Sequence, residues 1–96
     1  MKTGIQLIAE ERLRVVVEES FTTHSDKQYE KDELLQAACV YISASSKFEL
    51  GVDASWPFDA EWFKPTTRVR NLVKAGQFIA AEIDRLQSEP NQGEAV

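Results

Sequence analysis

The sequence predicts an all-α protein: a small bundle of three main helices, with an ordered aromatic loop between the second and third, that assembles as an oligomer. Two observations carry the helices and the loop. Apolar residues return every three or four positions in three separate stretches, which is helical spacing rather than the alternation of a strand. Of nine aromatic residues, five (Phe48, Trp56, Phe58, Trp62 and Phe63) crowd between residues 48 and 63, where a connector between helices is normally short and polar. A third observation carries the oligomer: 96 residues bury only a modest core, and small domains are often supported by association. Residues 1–88 are expected to form one helical domain. Residues 89–96 offer nothing to bury and are expected to be a disordered tail.

The first helix is expected from about Gly4 to about Glu19. Thr3 followed by Gln6 is a capping box, in which the hydroxyl accepts from an orphan backbone N–H and the amide reaches back. Ile5, Ile8, Ala9, Leu13 and Val16 follow as its apolar stripe. The β-branched run Val15-Val16-Val17 works against a helix there, and a strand over Leu13–Val17 would stand alone. The polar stretch 20–30 reads as a loop. The second helix is expected to begin between Ser25 and Lys31 and to run to about Ser45, with Leu34, Leu35, Ala38, Tyr41 and Ile42 as its apolar stripe. The third is the clearest: Pro65 discourages an earlier start, and Thr66 or Thr67 is placed to cap it. Val69, Leu72, Val73, Gly76, Ile79, Ala80, Ile83 and Leu86 then repeat at three and four. Their spacing suits a core face or, being heptad-like, an interface between copies. Gly76 costs about 1 kcal/mol in a helix relative to Ala, so a packing gain is expected at the small-residue patch it forms with Ala80.

Charge and composition narrow the function classes. The net charge of −5 argues against binding extended nucleic acid, which needs a dense positive footprint. The charge is uneven: residues 1–63 carry 6 basic and 12 acidic side chains, whereas residues 64–74 carry Lys64, Arg68, Arg70 and Lys74 and no acid. No apolar run approaches a membrane span, and Met1-Lys2-Thr3-Gly4 does not open a signal peptide. The single cysteine, Cys39, reads as a small hydrophobe in a reducing setting. A cytoplasmic protein is the expectation.

The candidate ligand site is the aromatic segment and the basic one that follows it: Trp56, Trp62, Phe63, Lys64, Arg68, Arg70 and Lys74. Tryptophan rings stack on planar groups, the cations neutralise phosphates, and the start of the third helix favours an anion. Arg68 and Arg70 are about 200° apart on a helix, so one of the pairs Lys64 with Arg68 or Arg70 with Lys74 is expected to serve a single site. The plain alternative is that the tryptophans plug the core and the cations offset the acidic half. Two further groupings carry weaker chemistry. His24, Asp26, Glu30, Asp32 and Glu33 lack a second histidine and tight metal-ligand spacing, and read as a solvated loop. Glu10, Glu11, Glu18 and Glu19 with Asp32 and Glu33 suit Mg²⁺ around a nucleotide, or an exposed acidic stripe. No Gly-rich phosphate loop, Ser-His-Asp arrangement or CxxC is visible, so no catalytic residue, resident metal or cofactor is assigned.

Several stretches together resemble a family of small proteins from tailed phages and prophages. They are Gly4-Ile5-Gln6-Leu7-Ile8-Ala9 with Glu11-Arg12, Glu33-Leu34-Leu35-Gln36-Ala37-Ala38-Cys39-Val40-Tyr41, Trp56-Pro57-Phe58, Trp62-Phe63-Lys64-Pro65, Arg70-Asn71-Leu72-Val73-Lys74-Ala75-Gly76 and Ala81-Glu82-Ile83-Asp84-Arg85-Leu86. The resemblance implies a phage-encoded accessory protein in the cytoplasm of a host bacterium. Its expected partner is a host protein or a small phosphorylated ligand such as a nucleotide signal, bound to counter host defence without catalysis. The chain departs from the family where His24-Ser25-Asp26-Lys27-Gln28-Tyr29 stands in place of a richer His/Asp cluster, and at Phe21, where members often carry tryptophan. A weaker similarity is to all-helical MazG-like nucleotide pyrophosphohydrolases, which implies a Mg²⁺-dependent hydrolase using Glu10, Glu11, Asp32 and Glu33. Their Glu-Glu-x-x-Glu signature is broken here by Arg14 in Glu10-Glu11-Arg12-Leu13-Arg14. The third expectation is a structural or host-protein-binding module whose aromatic loop meets a protein surface.

Overall fold

The computed structural model describes residues 1–18, 32–45 and 56–88. Among them lie three α-helices, α1 (Gly4–Glu18), α2 (Glu33–Ala44) and α3 (Arg68–Gln87), a single 3-10 turn at Ala60–Trp62, and no strand. The all-helical expectation holds for these residues. The expected loop at 20–30, the first part of the aromatic loop and the tail at 89–96 fall outside them.

Local chemistry accounts for the helix ends. The capping box is formed in both directions: Gln6 N–H donates to Thr3 Oγ1 at 3.2 Å, and Thr3 N–H donates to Gln6 Oε1 at 2.8 Å. α1 continues through the valine run to Glu18, so packing overrides the weak propensity of β-branched residues. α2 begins at Glu33, later than the window expected, because Asp32 already stands outside helical geometry as its N-cap. Thr67 rather than Thr66 caps α3, its hydroxyl accepting from Arg70 N–H at 3.2 Å. No helix among the described residues is long and apolar enough to cross a membrane.

α3 is the central element and packs against both α1 and α2. Among the described residues the buried apolar core comprises Val15, Leu34, Ala37, Ala38, Tyr41, Val73, Ala75 and Ala81. Gly76 supplies the close approach expected of it: Ile8 of α1 lies so near that an added Cβ would sit 2.5 Å from its Cδ1.

The orientation of the helices corrects the sequence reading. α3 turns Asn71, Val73, Ala75, Gln77, Ala81, Glu82 and Arg85 inward, while Val69, Leu72, Ile79 and Ile83 from the expected core stripe are exposed. α1 likewise buries Glu11 and Val15 and leaves Ile5, Ala9 and Leu13 exposed. The cause is pairing of polar groups. Buried polar atoms are tolerated when hydrogen-bonded, and here they bond to one another. Arg12 donates to Gln77 Oε1 at 2.9 Å, Arg85 Nε donates to Glu82 Oε1 at 2.6 Å, and Asn71 ties Thr66 N–H to α3. Among the described residues no buried side-chain nitrogen or oxygen lacks a partner.

Candidate functional site

α1 and α2 flank α3, and on one side of α3 the segment 56–64 closes over the space between them. A cavity of about 320 Å³ lies there, reaching from Leu34 and Tyr41 of α2 to Lys74, Gln77, Phe78 and Ala81 of α3. Its roof is aromatic. Tyr41, only 2% exposed, is the hub: its ring centroid lies 5.5 Å from Trp56, 5.1 Å from Phe63 and 6.0 Å from Phe78. Trp56 also meets Phe58 edge-on at 5.4 Å. Such contacts add to the area that the rings bury, and they explain why this segment folds back on the helices. Two hydrogen bonds pin it further, from Trp56 Nε1 to Asp59 O and from Lys64 N–H to Tyr41 Oη, each 2.9 Å.

Trp62 differs from its neighbours. It lines the cavity yet is 41% exposed, and its face lies 5.8 Å from Lys64 Nζ. Trp56, Phe58 and Phe63 pack, while Trp62 presents a ring at the rim.

The floor is charged. Glu11, at the middle of α1, is 4% exposed and accepts a bidentate pair from Arg14 at 2.7 and 3.0 Å and a third bond from Arg70 Nη2 at 2.9 Å. Burial opposes its ionisation, but the hydrogen bonds and charges of Arg14 and Arg70 outweigh it and hold the carboxyl below its ordinary value. Lys74 moves the same way for another reason. Burial comes first, and then Arg70, Arg14 and Lys64 disfavour a further positive charge despite Glu11. Lys74 Nζ donates to Lys64 O and lies 5.7 Å from the Tyr41 ring. Neither Lys64 nor Lys74 has an ion pair among the described residues. The wall thus sets four cations, Arg12, Arg14, Lys64 and Lys74, against two carboxylates, Glu11 and Asp59.

Of the seven residues expected from sequence, Trp56, Trp62, Lys64 and Lys74 line this cavity. Phe63 stands behind the wall against Tyr41 and Trp56, and Arg70 stands behind Glu11. Arg68 is exposed at the start of α3 and lines no part of it. The cations pair across elements, Lys64 with Lys74, and not at the i,i+4 spacings. The start of α3 is engaged by its own cap and is not in the wall.

Sequence reasoning missed Arg12, Arg14, Tyr41, Gln77 and Phe78 as wall residues. A signal existed for two of them: Glu11 and Arg14 have the i,i+3 spacing of a helical ion pair, and Phe78 is an aromatic on the α3 face opposite the aliphatic stripe. The acidic grouping also needs correction. Glu11 and Glu18 both meet Arg14, Glu10 pairs with Lys2 at 2.8 Å, and Glu11 is buried rather than part of an exposed stripe. Among the described residues no three His, Cys, Asp or Glu side chains gather as metal ligands. His24, Asp26 and Glu30 lie outside those residues. In comparisons with known proteins, no family model, curated protein or solved structure matches the chain.

Proposed function

We propose that this protein binds a small phosphorylated ligand with a planar ring, of nucleotide class, in the cavity between α1, α2, α3 and the aromatic segment. One observation carries the reading: an aromatic-roofed cavity of about 320 Å³ bears a surplus of positive charge in a chain whose net charge is −5. Lys74 is held below its ordinary value first by burial and then by Arg70, Arg14 and Lys64, against the pull of Glu11, so an anion beside it would favour its charged form. Trp62 supplies the exposed face on which a base stacks, beside the ammonium of Lys64. The volume stands at the low end of the roughly 300–1,000 Å³ of small-molecule sites, which suits one nucleotide unit at a time. Set beside the resemblance to small phage proteins, this makes the chain an accessory protein that withdraws a phosphorylated nucleotide signal of its host.

A thermal-shift panel of nucleoside mono-, di- and triphosphates, linear dinucleotides and cyclic di- and trinucleotides, with and without Mg²⁺, tests the reading. A ligand at roughly 100-fold excess over its dissociation constant adds about 2.7 kcal/mol of stability and a clear rise in midpoint. Trp62→Ala and Lys74→Met should each weaken that response at least tenfold in ligand concentration while leaving helicity unchanged. A flat response across the panel overturns the reading and moves attention to a protein partner for the aromatic rim.

A further inference from the structure

The aliphatic stripe that α3 turns away from the core is a feature the cavity does not use. Val69, Leu72, Gly76, Ile79, Ile83 and Leu86 follow the alternating three–four spacing of a heptad seam, which matches one helix to another. Val69, Leu72, Ile79 and Ile83 remain 42–59% exposed. Ile8 of α1 covers Gly76 in the middle of the stripe. Four aliphatic side chains this open on one helix face make roughly 300 Å² or a little more, within the roughly 300–600 Å² of the largest patch that a soluble monomer leaves contiguous. A stable pair covers ~800 Å² on each partner, and such a patch supplies the apolar centre of a contact of that size.

We infer that this seam is the contact between two copies of the chain, joined about a twofold axis with α3 against α3. A second copy fits the surface better than a basic or acidic partner does, because from Val69 to Leu86 the seam positions carry no charged side chain. A charge-free patch is compatible with itself, and an isologous contact needs only that. Ile8 of α1 fills the space over Gly76 in the middle of the seam, and the exposed Leu72, Ile79 and Ile83 to either side meet their counterparts. Geometry leaves the cavity free. At about 100° per residue, the arc of Lys74, Gln77, Phe78 and Ala81 is centred roughly 170° from the arc of Leu72, Ile79 and Ile83.

Sedimentation equilibrium of the full chain at 10–100 µM tests this, at low and at high salt. The expected mass is twice the 10.9 kDa of the chain, with association strengthening as salt screens the −5 charge of each copy. Ile79→Lys with Ile83→Lys should raise the dissociation constant at least 100-fold with unchanged circular dichroism. A monomer throughout, or a dimer that survives both lysines, overturns the inference. Should the lysine variant lose helicity, Leu72→Cys, Ile79→Cys and Ile83→Cys, each made with Cys39→Ala, decide. A disulfide-linked dimer from at least one of them supports the seam, and none from any overturns it.

Discussion

Glu11 shows how one residue joins the fold to the site. It is a carboxylate at 4% exposure, a state that costs several kcal/mol unless the charge is paired and hydrogen-bonded. Three bonds from Arg14 and Arg70 meet that requirement. In return, Glu11 fixes two guanidinium groups beside Lys74 and so shapes the potential of the cavity. Because its folded-state carboxyl titrates below the ordinary value of 4.5, its stabilisation is complete above that pH and is lost as pH falls through the folded pKa. Denaturant midpoints taken from pH 7 to pH 3 should therefore fall below about 4.5 in the wild type. Glu11→Gln should be weaker at pH 7 by roughly 1–3 kcal/mol and flatter across the acid range. Equal slopes for the two proteins below pH 4.5 would show that another carboxylate governs acid unfolding.

At the scale of elements, local signals were the legible ones. Thr3 with Gln6 and Thr67 with Arg70 announce helix starts because a cap involves only neighbours in sequence. The faces of α1 and α3 were not legible, because periodicity identifies an apolar stripe without saying what covers it. Here the inward side sets Glu11, Asn71, Gln77, Glu82 and Arg85 among Val15, Val73, Ala75 and Ala81, and only three-dimensional pairing makes so polar a side tolerable. The site was half legible for the same reason. Trp62 and Lys64 advertise themselves as a cluster, whereas Arg14 joins the wall only once α1 crosses α3. The crossing itself is testable. Gly76→Ala gains about 1 kcal/mol of helix propensity but drives a methyl group to 2.5 and 2.8 Å from Cδ1 and Cγ1 of Ile8. The clash should win, giving a net loss of about 1–2 kcal/mol. In an Ile8→Ala background the same substitution should be neutral or stabilising, a coupling of at least about 1 kcal/mol by double-mutant cycle. Additive effects would mean that α1 does not rest on Gly76 in solution.

At the scale of the whole molecule, the described residues set two unlike surfaces on opposite sides of α3: a basic, aromatic cavity between α1 and α2, and an uncharged aliphatic seam. Their responses to salt should be opposite in sign. Ligand binding in the cavity brings an anion to Arg14, Lys64 and Lys74. The attraction weakens as the Debye length shrinks from about 14 Å at 0.05 M salt to about 4–5 Å at 0.5 M. Self-association along the seam brings two chains of charge −5 together through apolar contact, so screening removes an obstacle and leaves the driving force. Raising salt tenfold should lower nucleotide affinity by roughly tenfold and lower the dimer dissociation constant over the same range. Ligand stoichiometry should stay at one per chain, and Ile79→Lys should leave ligand affinity unchanged, because the seam and the cavity share no side chain. Calorimetry at the two salt concentrations, paired with sedimentation on the same samples, gives both quantities. If affinity and association rise or fall together, the two surfaces are one, and the helix between them does not insulate the ligand site from the partner copy.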